Sequence, residues 1–368
     1  MIPAEFDEIR PYTPEELPQI FEELIADSEF QAVIGQAFKE IPFEYIAGQM
    51  RASKDNLEFQ KALVYPFVKG VIQKLSSGLT VSIENKENMA KSLCISNHRD
   101  IIMDSAFLCI VFIETVGNTV EIAIGDNLLI RPWIKKLVRV NRSFIVQRSA
   151  SIREMLASSK RLSSYMHHTI AERNQPIWLA QREGRAKDSN DRTQEGLIKM
   201  LSMYSTGDII DALKELNIAP TTISYEYDPC DYLKAREMQL KRDNPKWHKS
   251  RKDDLVSMKV GISGQKGRIV YRLTPSINHE IDQALALHPE LRELSHNEQI
   301  QFVCKLIDHH IHKAYEIYER GEEFDKYIES RIDMIHLSNK DTDFLREKLY
   351  EMYNNPVRNH AIAIQSEK

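Results

Sequence analysis

In the run Asn97-His98-Arg99-Asp100-Ile101-Ile102-Met103-Asp104, a histidine and two carboxylates stand close enough to share a proton-transfer task. Histidine is the side chain best suited to gain and lose a proton near neutrality. His98 is therefore read as a general base. A carboxylate bonded to its second ring nitrogen would fix the tautomer and stabilise the imidazolium formed during reaction. Asp104 suits that role better than Asp100, because it lies inside the apolar run 101–113, where a carboxylate is costly to bury without a partner. Asp100 is placed instead to cap the helix that follows. The plainer alternative is that His98 and Asp104 only satisfy a buried turn.

Two further segments carry charge at places where a ligand could meet it. Arg148 directly follows the short apolar run Phe144-Ile145-Val146, and a planar guanidinium there could hold a phosphate bidentately. Trp178 to Arg185 runs from an apolar strand into Glu183-Gly184-Arg185, with Lys187 just behind. Gly184 would let the backbone approach a ligand, while Arg185 and Lys187 add positive charge. Arg99, beside the base, is counted with these substrate-binding residues. Asp308 and His312 have the four-residue spacing of a metal pair on a helix, but a solvated helix face is the simpler reading and no metal site is expected.

The elements that must position these residues alternate as in an α/β domain. The expected strands are Leu79 to Ile83, Ser92 to Ser96, Val120 to Ile124, Phe144 to Val146, Ile177 to Ala180 and Thr221 to Tyr225, with a further one from Arg268 to Leu273. Helices are expected over 101–115, 128–138, 152–167, 196–204 and 210–216, the first ending at Gly117-Asn118. Asn97-His98-Arg99, Gly125-Asp126, Gln147-Arg148 and 181–185 each follow a strand directly. In open α/β sheets, ligands gather outside the carboxyl ends of the strands, so the four segments are expected on one rim. The chain divides into an N-terminal helical region (1–78), an α/β core (79–275) and a C-terminal helical region (276–368). Within the core, 231–254 reads as a basic linker, 261–267 as a loop, and the tail after Pro356 as loose.

Taken together, the three segments resemble the glycerolipid acyltransferase superfamily, which includes the glycerol-3-phosphate and lysophosphatidic acid acyltransferases. His98 and Asp104 correspond to its H-x4-D block, with one residue more between them. Arg142 to Arg148 resembles the block G-x-I-F-I-x-R, with Arg142 at the usual glycine. Glu183-Gly184-Arg185 resembles F-P-E-G-[TS]-R, with Arg182 at the usual proline and no Thr or Ser before Arg185. Pro220 is similar to the proline of a fourth block. The resemblance spans roughly residues 80 to 230 and implies a mixed, largely parallel sheet flanked by helices.

It also implies a reaction. His98 would deprotonate an acceptor hydroxyl, which attacks the thioester carbonyl of acyl-CoA or an acyl carrier protein, while Asp104 orients His98. Arg148 and Arg185 would hold the phosphate of glycerol 3-phosphate, a lysophospholipid or a related acceptor, at a site shaped by Glu183 and Gly184. No cofactor is implied beyond the thioester co-substrate. Two other readings compete: a His-dependent thioesterase or lipid hydrolase, and a non-catalytic lipid- or carrier-binding protein.

Composition bounds the partners. A net charge of -5 over 368 residues gives no general attraction to polyanions, so nucleic acid is not an expected partner. The basic stretch around Trp247 is the exception, suited to anionic lipid headgroups, an acidic carrier protein or plain solvation. Four widely spaced cysteines point to a reducing compartment, and the first residues lack the basic start and apolar core of a signal peptide. A cytoplasmic protein, compatible with the inner face of a membrane, is expected.

Overall fold

The computed structural model describes residues 2–147, 151–205 and 207–366. Seven strands form one sheet: β1 (Leu79–Ile83), β2 (Leu93–Ser96), β3 (Glu121–Gly125), β4 (Ser143–Val146), β5 (Ile177–Ala180), β6 (Ile218–Tyr225) and β7 (Ile269–Leu273). Their order is β1-β7-β6-β2-β5-β3-β4. β6, β2, β5, β3 and β4 run parallel to one another; β7 turns antiparallel to β6, and β1 runs parallel to β7.

The central strands are apolar throughout because both of their faces are covered. Along β2, Leu93 and Ile95 enter one core while Cys94 enters the other; along β5, Ile177 and Leu179 oppose Trp178 in the same way. One face is covered by helices Ile152–His167 and His296–Lys313, whose Ile300, Val303, Ile307 and Ile311 recur at helical spacing. The other is covered by helix Met103–Val116 and by Val68, Val71 and Ile72 of helix Tyr65–Leu75. Phe21 and Leu24 of the first helix pack with Phe30, Ile46, Met50 and Phe59 in a separate N-terminal core, closed by Val140. The apolar faces of the first 78 residues are thus used for packing. All four cysteines are buried.

Three expectations are revised, the first and third because polar residues find partners distant in sequence. The supposed basic linker 231–254 forms helix Asp231–Asp243 and the start of helix Arg251–Ser263. Its buried Asp231 is bonded by Arg331, Tyr327 and Tyr353, all from the C-terminal helices, so the start of the segment is internal, while the basic residues from Lys241 to Lys246 and from Arg251 to Lys252 are exposed as expected. The loop expected at 261–267 begins only after Ser263. Helix Thr342–Gln365 runs through Pro356, because Asn355 before it and Asn359 after it are buried against Asp188 and Asn190. Among the described residues, no helix is long and apolar enough to cross a membrane.

Candidate active site

β2 ends at Ser96, and Asn97 fastens that end to β6. Its amide donates to the Ile223 carbonyl at 2.9 Å and accepts from the Ile223 N–H at 2.8 Å, imitating one more rung of the ladder. The chain then turns through 98–102 and enters helix Met103–Val116, two residues later than the expected start. Asp100 fills the gap: its Oδ1 accepts from the N–H groups of Ile102 and Met103 at 2.9 and 2.8 Å. The extra residue between His98 and Asp104 is absorbed in this capped turn.

Asp104 therefore sits in the first helical turn, pointing back into the loop. Its Oδ2 lies 2.8 Å from His98 Nδ1 and accepts from the N–H groups of Arg99 and Asp100 at 2.6 and 3.0 Å. Its Oδ1 accepts from the Tyr225 hydroxyl at 2.7 Å. Four donors converge on a carboxylate with no solvent exposure, which is what a buried ionised aspartate requires. The His98 ring stands edge-on to Trp178, 5.6 Å between centroids, and its side chain keeps 12 % exposure. With Nδ1 engaged by Asp104, Nε2 is the nitrogen left to exchange a proton with a substrate.

Arg99 does not join a substrate-facing group of cations. Its guanidinium makes a bidentate pair with buried Asp191, 3.0 and 2.6 Å, and its carbonyl accepts from Lys234. Asp191 is held in turn by the Tyr315 hydroxyl and, through its carbonyl, by His312 Nε2 at 2.7 Å. Asp308 accepts from the N–H and hydroxyl of Thr193, so Asp308 and His312 are engaged with the 191–193 segment. This network ties the residue after His98 to a C-terminal helix.

The third segment leaves β5 on the same rim. Gly184 has φ +67°, a left-handed turn that favours glycine. Glu183 is exposed, and its N–H donates to Gln194 Oε1 at 2.7 Å. Arg185 turns inward, within electrostatic reach of Asp100, Asp228 and Cys230, and these neighbours raise its pKa despite burial. One of its terminal nitrogens is buried without a partner, as is Asp100 Oδ2. Burial, and then the nearby Asp104 charge, push the Asp100 carboxyl above the ordinary range. Lys187 instead pairs with Glu237 of helix Asp231–Asp243, and desolvation lowers its pKa.

Arg148 lies outside the described residues. Arg142 adopts φ +55°, a conformation that suits glycine, which agrees with its place at the glycine of the second block. It sits at the start of β4, away from the rim, and donates to Asn118 at 2.6 Å. The structure thus gathers His98, Asp104 and Arg185 at one end of the sheet and directs Arg99, Lys187 and Arg142 elsewhere.

Several contributors to this site carried little sequence signal. Tyr225 could have been found from strand alternation, which puts it on the face of Ile223 and toward the Met103–Val116 helix. Tyr271, whose hydroxyl donates to the Asp104 carbonyl at 2.8 Å, and Asp191 had no comparable signal. Gly261 packs so close to Asp100 that a Cβ there would lie 1.9 Å from Oδ2.

Residues 79–206 match the protein-family model described as Acyltransferase, a segment that contains His98, Asp104 and Arg185. The matched segment is about a third of the chain, and through it the chain is similar to the acyltransferase family. The match covers the three blocks by which the sequence resembles the glycerolipid acyltransferases. Among solved structures, the chain is similar to the 1-acyl-sn-glycerophosphate (LPA) acyltransferase PlsC from Thermotoga maritima. Identity is 14%, the TM-score is 0.35, and the aligned region covers 80% of this chain and 95% of that one. No curated protein matches the chain.

Proposed function

We propose that this acyltransferase moves a fatty acyl group from acyl-CoA or an acyl carrier protein to the hydroxyl of glycerol 3-phosphate, a lysophospholipid or a related phosphate-bearing acceptor. The observation that carries the reading is His98 Nδ1 at 2.8 Å from a fully buried Asp104, which leaves Nε2 to take the acceptor proton. The acceptor oxygen then bonds to the thioester carbonyl carbon. As the tetrahedral adduct collapses, the carbon–sulfur bond breaks and the thiolate takes the proton back from His98. Asp104 holds the ring in one tautomer and stabilises the transient imidazolium.

Arg185, half-buried beside the turn that follows His98, and Arg148 are assigned to the acceptor phosphate, with Glu183 and Gly184 shaping that approach. Arg99 and Lys187 support the site through Asp191 and Glu237 rather than by meeting substrate. For a lysophospholipid acceptor the reading places the reaction at a membrane surface, where that class of acceptor resides.

The test is a panel of acyl-CoA and acyl-carrier donors against hydroxylated phosphate acceptors and their dephosphorylated counterparts, with the His98→Ala protein as blank. Acceptor-dependent thiol release that prefers the phosphorylated acceptors is expected. Thiol release at the same rate without acceptor would replace the reading with a thioesterase.

A further inference from the structure

β2, β3, β4, β5 and β6 all end on the rim where His98 lies, and β7 begins there. Two solvent-exposed apolar groups stand on that rim. One is the start of helix Ile152–His167, which follows β4. Residues 151–157 are all exposed, and Ile152, Met155 and Leu156 form a stripe at helical spacing, with Ile152 75 % and Leu156 53 % exposed. The other is helix Arg251–Ser263, which enters the rim between β6 and β7.

This second helix has two distinct faces. Ser257 and Gly261, four residues apart, lie against Cys230 and Asp100. Lys252, Leu255, Val256 and Lys259 are exposed and lie on the outer side. Residues 241–259 hold seven Lys and Arg against three Asp, a positive stretch in a chain of net charge -5. Apolar residues interleaved with cations suit an anionic bilayer interface, where lipid chains take the former and headgroups the latter.

The order of the strands decides between a flat partner and a compact one. β4 is three strands from β2 on one side, and β6 and β7 are one and two strands away on the other. At about 4.8 Å per strand, the two groups straddle His98 over roughly 24 Å. A bilayer touches both at once, whereas an acidic carrier protein engaging the basic helix has no use for the apolar stripe on the far side.

We propose that this rim is a membrane-docking face: the stripe Ile152, Met155 and Leu156 enters an anionic lipid surface on one side of His98, and helix Arg251–Ser263 rests on the same surface on the other. The inference rests on the reading of the acceptor as a membrane lipid precursor. It adds which face meets the membrane and how His98 is aimed at it.

The test is flotation of the full chain with vesicles of phosphatidylcholine alone and of phosphatidylcholine with phosphatidylglycerol. Wild type, the triple variant Ile152→Ser/Met155→Ser/Leu156→Ser and the triple variant Lys246→Gln/Arg251→Gln/Lys252→Gln are compared after circular dichroism and melting have verified folding. The wild type should float with the anionic vesicles and far less with the zwitterionic ones. Each variant should lose about tenfold in vesicle partitioning while keeping kcat/KM within about twofold on short-chain, monomeric substrates.

Wild type that stays unbound, equal flotation with both vesicle types, or undiminished flotation of either variant would overturn the proposal. So would an apolar stripe that instead mediates self-association, seen as a sedimentation change abolished by the serine variant. An acidic acyl carrier protein captured by the basic helix, without vesicle binding, would do the same. Activity on soluble substrates is read separately, so failure of docking is distinct from failure of the acyl-transfer reading.

Discussion

Asp104→Asn isolates the charge of the orienting carboxylate while nearly conserving its shape. The amide oxygen can take the Oδ2 position and continue to accept from His98 Nδ1 and from the N–H groups of Arg99 and Asp100. The amide NH2 then faces the Tyr225 hydroxyl, which can rotate to accept rather than donate. The fold should survive, so the loss falls on the reacting state. An imidazolium 2.8 Å from a carboxylate gains about 6 kcal/mol at an effective dielectric of about 20. At about 1.4 kcal/mol per decade that is about four orders of magnitude, part of which the amide dipole returns. A fall in kcat of about 10³-fold is expected. Thiol release followed in the steady state measures it, with a melting curve on the same sample. Asp100→Asn is the control: asparagine caps a helix as well as aspartate does, and kcat should change by less than about tenfold. A folded Asp104→Asn protein within tenfold of wild type, or an Asp100→Asn protein that is the more impaired, would refute the assignment.

Other perturbations test the support of the site. Because burial raises the Asp100 pKa in the folded state, the folded protein binds its proton more tightly than the unfolded chain, and stability declines as pH rises from the ordinary carboxylate range through the raised value. Asp100→Asn should therefore melt higher than wild type at pH 8, with the gain shrinking toward pH 4; a gain that grows on acidification would contradict this. Gly261→Ala should cost about 1–3 kcal/mol, since its Cβ would overlap Asp100 Oδ2, and should lower activity by displacing the turn after His98; denaturant unfolding and kinetics measure both. Asp191→Ala should cost about 3–5 kcal/mol by leaving Arg99 buried and unpaired, whereas Arg99→Met/Asp191→Leu should recover much of that stability in the same unfolding measurement. Arg185→Ala should raise KM for a phosphorylated acceptor more than for its dephosphorylated analogue, and an equal change in both would remove Arg185 from the phosphate site.

The sheet was legible because its strands are short β-branched or apolar runs between polar turns: the central β2 and β6 are buried on both faces, and edge strand β1 alternates inward and outward residues cleanly. Sequence also places His98 and Asp104 together, since a carboxylate within 101–113 has few partners other than the loop before it. What escaped detection depends on contacts distant in sequence. Arg99 reads as a ligand for substrate until Asp191, 92 residues later, is seen to occupy it. The start of the segment 231–254 reads as solvated because the partners of Asp231, Tyr327, Arg331 and Tyr353, arrive about a hundred residues downstream. Pro356 reads as a helix end because nothing nearby discloses the packing of Asn355 and Asn359 that sustains the helix through it.

The role of His98 as the base of an acyl transfer is tested by stoichiometry. Thiol released and acylated acceptor formed are quantified together for wild type and for folded His98→Ala. One acylated acceptor per thiol in the wild type, and neither product in the variant, is the expected result. Thiol release that outruns acceptor acylation, or acylated product formed by the variant at the wild-type rate, would contradict it.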